Sequence, residues 1–270
     1  AFAAARPEAS VLQTAAQVRA RLGSDDHRIL GGVMLPHDLR VDPRTTVHRL
    51  AAWLAEEGVS FEWGTTVGSI EPGQPAHVHT SRGSFRADRV IVCAGHDLSY
   101  LYPDHAEQGQ VERCRLAMAL VEPPAGFTTD SAVLTATSML RYAGFAALPE
   151  AQAVRAEVAA TNPYLLEIGA NLMLTRRPDG TVIVGDSHHY GAAAPPFLDE
   201  AVSEALLAEA AVLLGVGRLR VLERWQGVYA SSPRQEILRD LVGPGVESVT
   251  VTTGLGMTLA FGLAAETFAG

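Results

Sequence analysis

Lysine is absent from this chain of 270 residues, so arginine supplies every positive side chain apart from histidine. A phosphate-binding P-loop needs its lysine, and pyridoxal phosphate enzymes and Schiff-base aldolases need a lysine amine as nucleophile. The sequence therefore excludes these three classes of protein.

Cysteine is nearly absent as well. Cys93 and Cys114 are too few for a disulfide framework, and we expect both to be small buried side chains. The nine histidines show no H-E-x-x-H spacing and the cysteines no C-x-x-C spacing, so we predict no metal site.

A net positive charge and long apolar runs are also missing. The formal net charge of −9 argues against nucleic acid or an anionic membrane as a partner, because either would need a basic face. No apolar run approaches the roughly 18–20 residues that span a bilayer. The sequence thus predicts a cytoplasmic protein with neither a nucleic-acid partner nor a membrane span, and it makes no prediction of oligomeric state.

Two segments carry the strongest positive signal. Residues 87–95 read Ala-Asp-Arg-Val-Ile-Val-Cys-Ala-Gly, and residues 249–260 read Val-Thr-Val-Thr-Thr-Gly-Leu-Gly-Met-Thr-Leu-Ala. Each is a β-branched run interrupted by glycine, which is typical of a buried strand whose C-terminal end reaches a ligand. In the second segment the glycines begin a helical pattern, so backbone N–H groups would point at an anionic or electron-rich group.

The remaining periodicities predict an α/β region followed by an antiparallel one. Ser10 and Gln13 form a capping-box pattern before an apolar stripe that stops at Gly23, and Asp42-Pro43 begins a second helix. Strands are predicted before residue 110 at 28–35, 59–63, 67–70 and 90–94, with a hairpin at 81–83. Later strands are predicted at 111–121, 132–137, 141–147, 171–175, 181–186 and 221–229, and helices at 150–160 and 199–215.

Four blocks make the chain similar to a known family. They are Leu-Arg-Val-Asp-Pro-Arg at 39–44, Gly-Asp-Ser-His-His-Tyr-Gly at 185–191, Arg-Trp-Gln-Gly-Val-Tyr-Ala at 224–230 and Thr-Gly-Leu-Gly-Met-Thr at 253–258. They resemble blocks of the FAD-dependent amine and amino-acid oxidoreductases, the superfamily of D-amino-acid, glycine and sarcosine oxidases. Within it, the resemblance is closest to flavin oxidoreductases whose genes accompany phosphonate catabolism, for which oxidation of an aminophosphonate has been proposed.

The resemblance implies a mixed α/β fold, in which an FAD-binding domain is interleaved with an antiparallel substrate domain. We expect residues 1–110 and 221–270 in the FAD-binding domain and residues 111–220 in the substrate domain. The chain has no strand followed by G-x-G-x-x-G, and its first methionine is Met34. We therefore expect a fragment that lacks the first βαβ unit, which in relatives takes about 100 residues.

The resemblance also implies the residues that hold FAD. Val67 would offer its backbone to the adenine, and Ala94 and Gly95 would let a strand end approach the dinucleotide. A strand that passes the flavin ring would contain Gly227. The residues under the ring would be Gly254, Leu255, Gly256, Met257 and Thr258, with helix N-terminal N–H groups at the edge that gains negative charge on reduction.

The implied substrate is a small anionic amine, whose C–N bond would be oxidised by hydride transfer to flavin N5. An anionic group needs a fixed cation, and the candidates are Arg141 and Arg115. Tyr229 would form a wall of the site, and neutral His188 would deprotonate the substrate ammonium. Because sarcosine oxidases activate oxygen with a lysine, both oxidase and dehydrogenase activity stay open. A non-catalytic fragment that cannot bind FAD is the alternative.

Overall fold

The structure is a computed structural model that describes residues 2–269. Its strands are β1 Val11–Thr14, β2 Gly31–Met34, β3 Val67–Glu71, β4 Ala76–Thr80, β5 Gly83–Ala87, β6 Val90–Val92, β7 Glu112–Val121, β8 Val133–Leu134, β9 Met173–Arg176, β10 Val182–Gly185, β11 His189–Gly191, β12 Val221–Ser231, β13 Ile237–Gly243 and β14 Val246–Val251.

Helices connect and flank these strands. They are α1 Phe2–Ala5, α2 Ala15–Leu22, α3 Pro43–Glu56, α4 Leu98–Leu101, α5 Pro103–Gln108, α6 Ala136–Arg141, α7 Ala143–Ala146, α8 Ala151–Thr161, α9 Pro163–Glu167, α10 Glu200–Leu213 and α11 Gly256–Phe268. A 3₁₀ turn, Gly95–Asp97, follows β6. The mixed α/β architecture predicted from the sequence is confirmed.

The chain divides into two compact units. Unit 1 contains residues 1–48, 116–189 and 196–227, and unit 2 contains residues 49–115, 190–195 and 228–270. The assignment of cofactor-binding and substrate domains made from the sequence stays a prediction.

The main sheet has the strand order β11-β7-β10-β9-β8, with β12 also paired to β7. In unit 1, β10 lies between two antiparallel neighbours, where Gly185 is opposite Met118 of β7 and Met173 of β9. The core of unit 1 contains the inward residues of these strands and α10, among them Leu174, Val182, Val184, Leu206 and Ala210. Because β10 is paired on both sides, the polar residues that follow it have fixed positions.

Unit 2 contains two three-stranded sheets, β3-β4-β5 and β13-β14-β6. β13 and β14 are antiparallel, whereas β14 and β6 are parallel, with Val246 opposite Val90 and Ser248 opposite Val92. Ala76, Val92 and Val246 are buried together in one core cluster, which explains the apolar β-branched composition of both runs.

Several local predictions are wrong. Residues 11–14 form β1, so the capping box is made by Thr14 with Gln17 and not by Ser10 with Gln13. Residues 59–63 contain no strand, and Cys93 is exposed because the chain leaves the sheet after Val92. Cys114 is fully buried, as predicted.

The strand predictions for residues 132–137 and 141–147 are wrong apart from the two residues of β8. These segments form α6 and α7, which are rich in the helix-forming residues Ala, Met and Leu. The predicted helices before Gly23, after Asp42, near residue 150 and after Asp199 are present.

Candidate functional site

The two glycine-interrupted segments lie side by side in unit 2. β6 and β14 are adjacent parallel strands, so their C-terminal ends lie at the same edge of the sheet. Gly95 follows β6 with φ +56°, and Gly254 follows β14 with φ +76°. In open α/β sheets, ligands bind at the carboxyl ends of parallel strands. The sequence motifs therefore meet at the position where a ligand is expected.

Gly254 has a second reason to lack a side chain. A Cβ atom at this position would lie 3.1 Å from Cζ of Tyr229, so the Tyr229 ring packs directly on the glycine backbone. This contact brings a predicted cofactor residue and a predicted substrate residue together.

Helix α11 begins two residues later. Leu255 is its N-cap and gives no side-chain cap, and the amide of Leu259 is the first to donate to a helical carbonyl, that of Leu255. The amides of Gly256, Met257 and Thr258 therefore have no acceptor within the helix. A Cβ atom at Gly256 would meet no atom within 4 Å, and the Met257 side chain is 63% exposed. The first turn of α11 thus presents bare backbone donors.

The other predicted residues of unit 2 lie on separate elements. Val67 begins β3, and Ala94 and Gly95 lie just beyond β6, where a Cβ atom on Gly95 would also meet no atom within 4 Å. Arg115 is on β7, the strand context predicted for it, and its Nε is buried without a hydrogen-bond partner among residues 2–269.

Unit 1 contains a second group of polar residues, at the end of β10. Asp186 and Asn171 exchange two backbone hydrogen bonds, with Asn171 N donating to Asp186 O at 2.8 Å and Asp186 N donating to Asn171 O at 3.0 Å. Asn171 is 3% exposed and Asp186 is 5% exposed. The next residue, Ser187, is also buried, and its hydroxyl accepts from the amide of Ala117.

Burial raises the pKa of Asp186 to about 7, although the hydrogen bond from the Asn171 side chain and the charge of Arg141 act in the opposite direction. Within the described residues, neither Asp186 Oδ1 nor Asn171 Oδ1 has a hydrogen-bond partner. The cluster therefore contains two buried acceptor oxygens that its own donors leave unsatisfied.

His188 follows in the same segment. Its Nδ1 lies 3.1 Å from the carbonyl oxygen of Gly169 and 3.5 Å from Asp186 Oδ1. A carbonyl oxygen only accepts, so Nδ1 carries the proton. Burial, with the charge of Arg141, lowers the pKa of His188 to about 4, and the ring is neutral at pH 7. Nε2 is therefore the unprotonated nitrogen that can accept a proton.

Arg141 is the last residue of α6 and not a strand residue, so the predicted strand context was wrong for this candidate. Two buried hydroxyl groups fix the helix, because Thr137 Oγ1 accepts from Leu172 N at 3.0 Å and Ser138 Oγ donates to Leu172 O at 3.2 Å. These bonds bring Arg141 close enough to lower the pKa of both Asp186 and His188. The structure thus brings Arg141 and His188 together.

Gly227 lies in β12 of unit 1, where a Cβ atom would lie 3.2 Å from Cδ1 of Leu116. Packing against Leu116 accounts for this glycine without a ligand.

Asn171 and Asp186 were not predicted as site residues. The available signal was a carboxylate and an amide at the two ends of apolar runs, but a sequence does not reveal that the two runs are neighbours. Thr137 and Ser138 were missed because the segment was predicted as a strand.

Comparison with known proteins identifies the family of this chain. A family model described as FAD dependent oxidoreductase matches residues 1–269. The chain belongs to this family. FAD is the cofactor of this family.

Three relatives illustrate the similarity. The D-amino acid dehydrogenase of Chromohalobacter salexigens is 41% identical over 71 residues, which are 25% of this chain and 17% of that protein. Glycine oxidase from Geobacillus kaustophilus superposes with a TM-score of 0.70 at 14% identity, over 96% of this chain and 62% of that chain. L-alpha-glycerophosphate oxidase from Mycoplasma pneumoniae with FAD bound gives 0.68 at 15%, over 96% and 63%. The chain thus spans about three fifths of the length of these solved structures.

The residues present fit one part of FAD. The donors of α11 and the unobstructed backbone at Gly95 and Gly256 suit an electron-rich ring edge that approaches closely. The chain contains no G-x-G-x-x-G, the element that holds the pyrophosphate in dinucleotide-binding folds.

Two kinds of feature are missing from residues 2–269. They contain no cluster of three or more His, Cys, Asp or Glu side chains suited to a metal ion. None of their helices has the length and apolarity to cross a bilayer.

Proposed function

We propose that this chain belongs to an FAD-dependent oxidoreductase that oxidises the C–N bond of a small anionic amine, an aminophosphonate or an amino acid. The observation that carries the proposal is the buried cluster in which Arg141 lies near a neutral His188. A fixed cation recognises a phosphonate or carboxylate, and an unprotonated imidazole nitrogen accepts a proton from an ammonium group.

FAD, when bound, supplies the two-electron acceptor that takes a hydride from the carbon bearing the amine. Gly254 and the first-turn amides of Gly256, Met257 and Thr258 would hold the ring edge that gains negative charge. Gly95 and Val67 would contact the dinucleotide through their backbone. Bound in this way the cofactor is non-covalent, since no cysteine lies in the segment 253–258.

For the substrate, Arg141 would bind the anionic group and His188 Nε2 would take the ammonium proton. A neutral amine is the form that loses a hydride, because its nitrogen lone pair stabilises the developing positive charge. The imine product is then hydrolysed by water to a carbonyl compound and ammonia. Arg115 is the second candidate for the anionic group and Tyr229 a candidate wall.

The test of this substrate class is Arg141→Met in the FAD-loaded protein. The variant keeps much of the side-chain length and loses the charge, so KM for an aminophosphonate or amino acid should rise about ten-fold or more. Reduction of FAD by an uncharged amine of the same size should change little. Arg155→Met, on the exposed face of α8, is the matched control. Equal losses with both substrates would assign Arg141 a structural role.

Absorbance separates this function from the alternative of a chain that does not bind FAD. A yellow protein whose flavin stays in the supernatant after acid precipitation supports non-covalent binding. A purified chain that stays colourless after addition of FAD supports the alternative.

A further inference from the structure

The anion site contains one buried carboxyl group that the proposed chemistry does not use. Asp186 is 5% exposed, and the backbone ladder with Asn171 fixes its position. The function proposed above gives Asp186 no contact with the substrate. Any effect of this carboxyl group is therefore exerted through the groups beside it.

Two titratable or charged groups face this carboxyl from the elements packed around it. His188 Nδ1 lies 3.5 Å from Asp186 Oδ1, and Arg141 acts on it from α6. The third neighbour, Asn171, contributes an uncharged amide. Because His188 is neutral, Arg141 supplies the positive charge that balances an ionised Asp186.

We propose that Asp186 is a positioning residue for the anion site, which balances the charge of Arg141 and takes up a proton when Arg141 binds an anion. This inference rests on the anion-binding role proposed above for Arg141. It adds that anion binding at Arg141 is coupled to protonation of Asp186, which anion binding by itself does not require.

The physical reason is the cost of two negative charges in one poorly solvated place. In the free chain, the charge of Arg141 acts on the carboxyl group of Asp186. An anion on Arg141 places a second negative charge beside the carboxylate, and such a pair raises the pKa of one partner. Oδ1 of Asp186 has no hydrogen-bond partner within the described residues, so this oxygen is free to take the proton.

The consequence is a pH dependence of anion affinity with a defined sign. With the pKa of Asp186 at about 7 in the free chain, the carboxyl is already protonated well below that pH, and anion affinity is maximal there. Above pH 7 binding requires proton uptake, so affinity should fall by up to about ten-fold per pH unit.

The test uses the 270-residue chain labelled with ¹³C-aspartate and acetate as the anion. Carboxyl carbon shifts are followed by NMR from about pH 5 to 9, in sodium chloride and in sodium acetate at equal ionic strength. We expect the pKa of Asp186 to rise in acetate by about one pH unit or more. Asp179 is the matched control, because it also contacts an arginine, Arg177 at 3.1 Å, but is 52% exposed. Hydrogen bonds from Thr181 lower the pKa of Asp179, so this residue stays ionised over the whole range, and its carboxyl shift should be the same in both salts.

Variants of Arg141 separate linkage from structure. Arg141→Met should abolish the acetate-dependent change at Asp186. Arg141→Lys keeps the charge and should retain it, and this lysine would be unique in the chain. If the Arg141→Lys variant retains the acetate-dependent change, the positive charge is its cause, because a merely structural role of Arg141 would not produce it.

The ¹⁵Nε resonance of Arg141 shows whether a negative result contradicts the protonation of Asp186 alone or also the binding of the anion. A saturable response of Arg141 to acetate with an unchanged Asp186 pKa would overturn the linkage and leave the anion site intact. Absence of any saturable response at Arg141 would overturn the anion site and the linkage together.

Discussion

Two buried carboxyl groups, one in each unit, have opposite surroundings. In unit 2, Glu247 is 8% exposed and accepts from Arg89 at 2.8 Å and from Arg239 at 2.6 Å, so that each oxygen has its own guanidinium partner. These bonds lower the pKa of Glu247. In unit 1, Asp186 is 5% exposed and one of its oxygens has no partner among residues 2–269, and here burial is the main cause that raises the pKa, to about 7.

This difference in hydrogen bonding and pKa makes Glu247 a structural carboxylate and Asp186 a carboxyl group suited to chemistry. A fully hydrogen-bonded carboxylate stays ionised over the physiological range and contributes to stability. A carboxyl group with an unsatisfied oxygen costs stability when it ionises, and such groups concentrate at functional sites. In unit 2 the candidate cofactor contacts are backbone amides and glycines instead. The proton acceptor proposed above therefore lies in unit 1, and the backbone contacts proposed for FAD lie in unit 2.

The largest expected effect is on the pH dependence of stability in Asp186→Asn. The folded pKa of Asp186, about 7, exceeds its ordinary value of 3.8, so its contribution is complete below about pH 4 and is lost as pH rises to 7. The wild-type chain should lose about 1.4 kcal/mol per pH unit in this window relative to the variant, on the order of 4 kcal/mol in all. Urea unfolding of both proteins at several pH values measures this. Parallel stability curves would show that Asp186 titrates normally.

Glu247→Gln should have the next largest effect, a loss of about 2 kcal/mol of unfolding free energy near neutral pH. The variant removes the charge that satisfies Arg89 and Arg239. Since the pKa of Glu247 is lowered, the wild-type advantage should shrink as pH falls below the ordinary value of 4.5. Glu122→Gln breaks an exposed pair with Arg220 and, as the control, should cost less than about 1 kcal/mol. Equal costs would remove the contrast between buried and exposed carboxylates.

Gly254→Ala should cost about 1–2 kcal/mol, because the residue has φ +76° and a Cβ atom would press on the Tyr229 ring. The urea midpoint, with the slope unchanged, reports this loss. Gly254→Ala and Tyr229→Ala combined should recover the part of the loss that is due to the ring. A variant as stable as wild type would contradict the close packing of the two residues.

Gly256→Val should have the smallest effect on stability, within about 0.5 kcal/mol, since a Cβ atom at this position would meet no atom within 4 Å. Binding of FAD should nevertheless be abolished, because the branched side chain would occupy the place of the ring edge. Circular dichroism and flavin absorbance of the same sample separate the two effects. A folded variant with full flavin occupancy would disprove the placement of FAD at this helix.

The elements that the sequence predicted correctly are those with long and strong apolar patterns. The helices α3, α8 and α10 and the strands β6 and β14 were predicted because their apolar periodicity is decided locally. The parallel pairing of β6 and β14 was not predicted, since it joins residues about 150 positions apart.

The errors have a common cause in tertiary contacts. Arg141 was placed in a strand, whereas hydrogen bonds of Thr137 and Ser138 to Leu172 hold that segment as a helix beside β9. Asp186 and Asn171 were missed because their pairing across two strands creates the burial that shifts the pKa. Such effects depend on neighbours that are distant in the sequence.

The second contact of Arg89 has a consequence for the kinetics of helix opening. Besides Glu247, its guanidinium donates to the carbonyl oxygen of Thr267 at 2.7 Å and lies over the Phe268 ring. Helix ends normally fray, but the last turn of α11 is attached to the sheet while its first turn has no side-chain cap. Amide deuterium uptake along α11 should therefore be fastest near Met257 and slowest near Thr267. A ligand bound to the first turn should therefore slow deuterium uptake most at the amides near Met257.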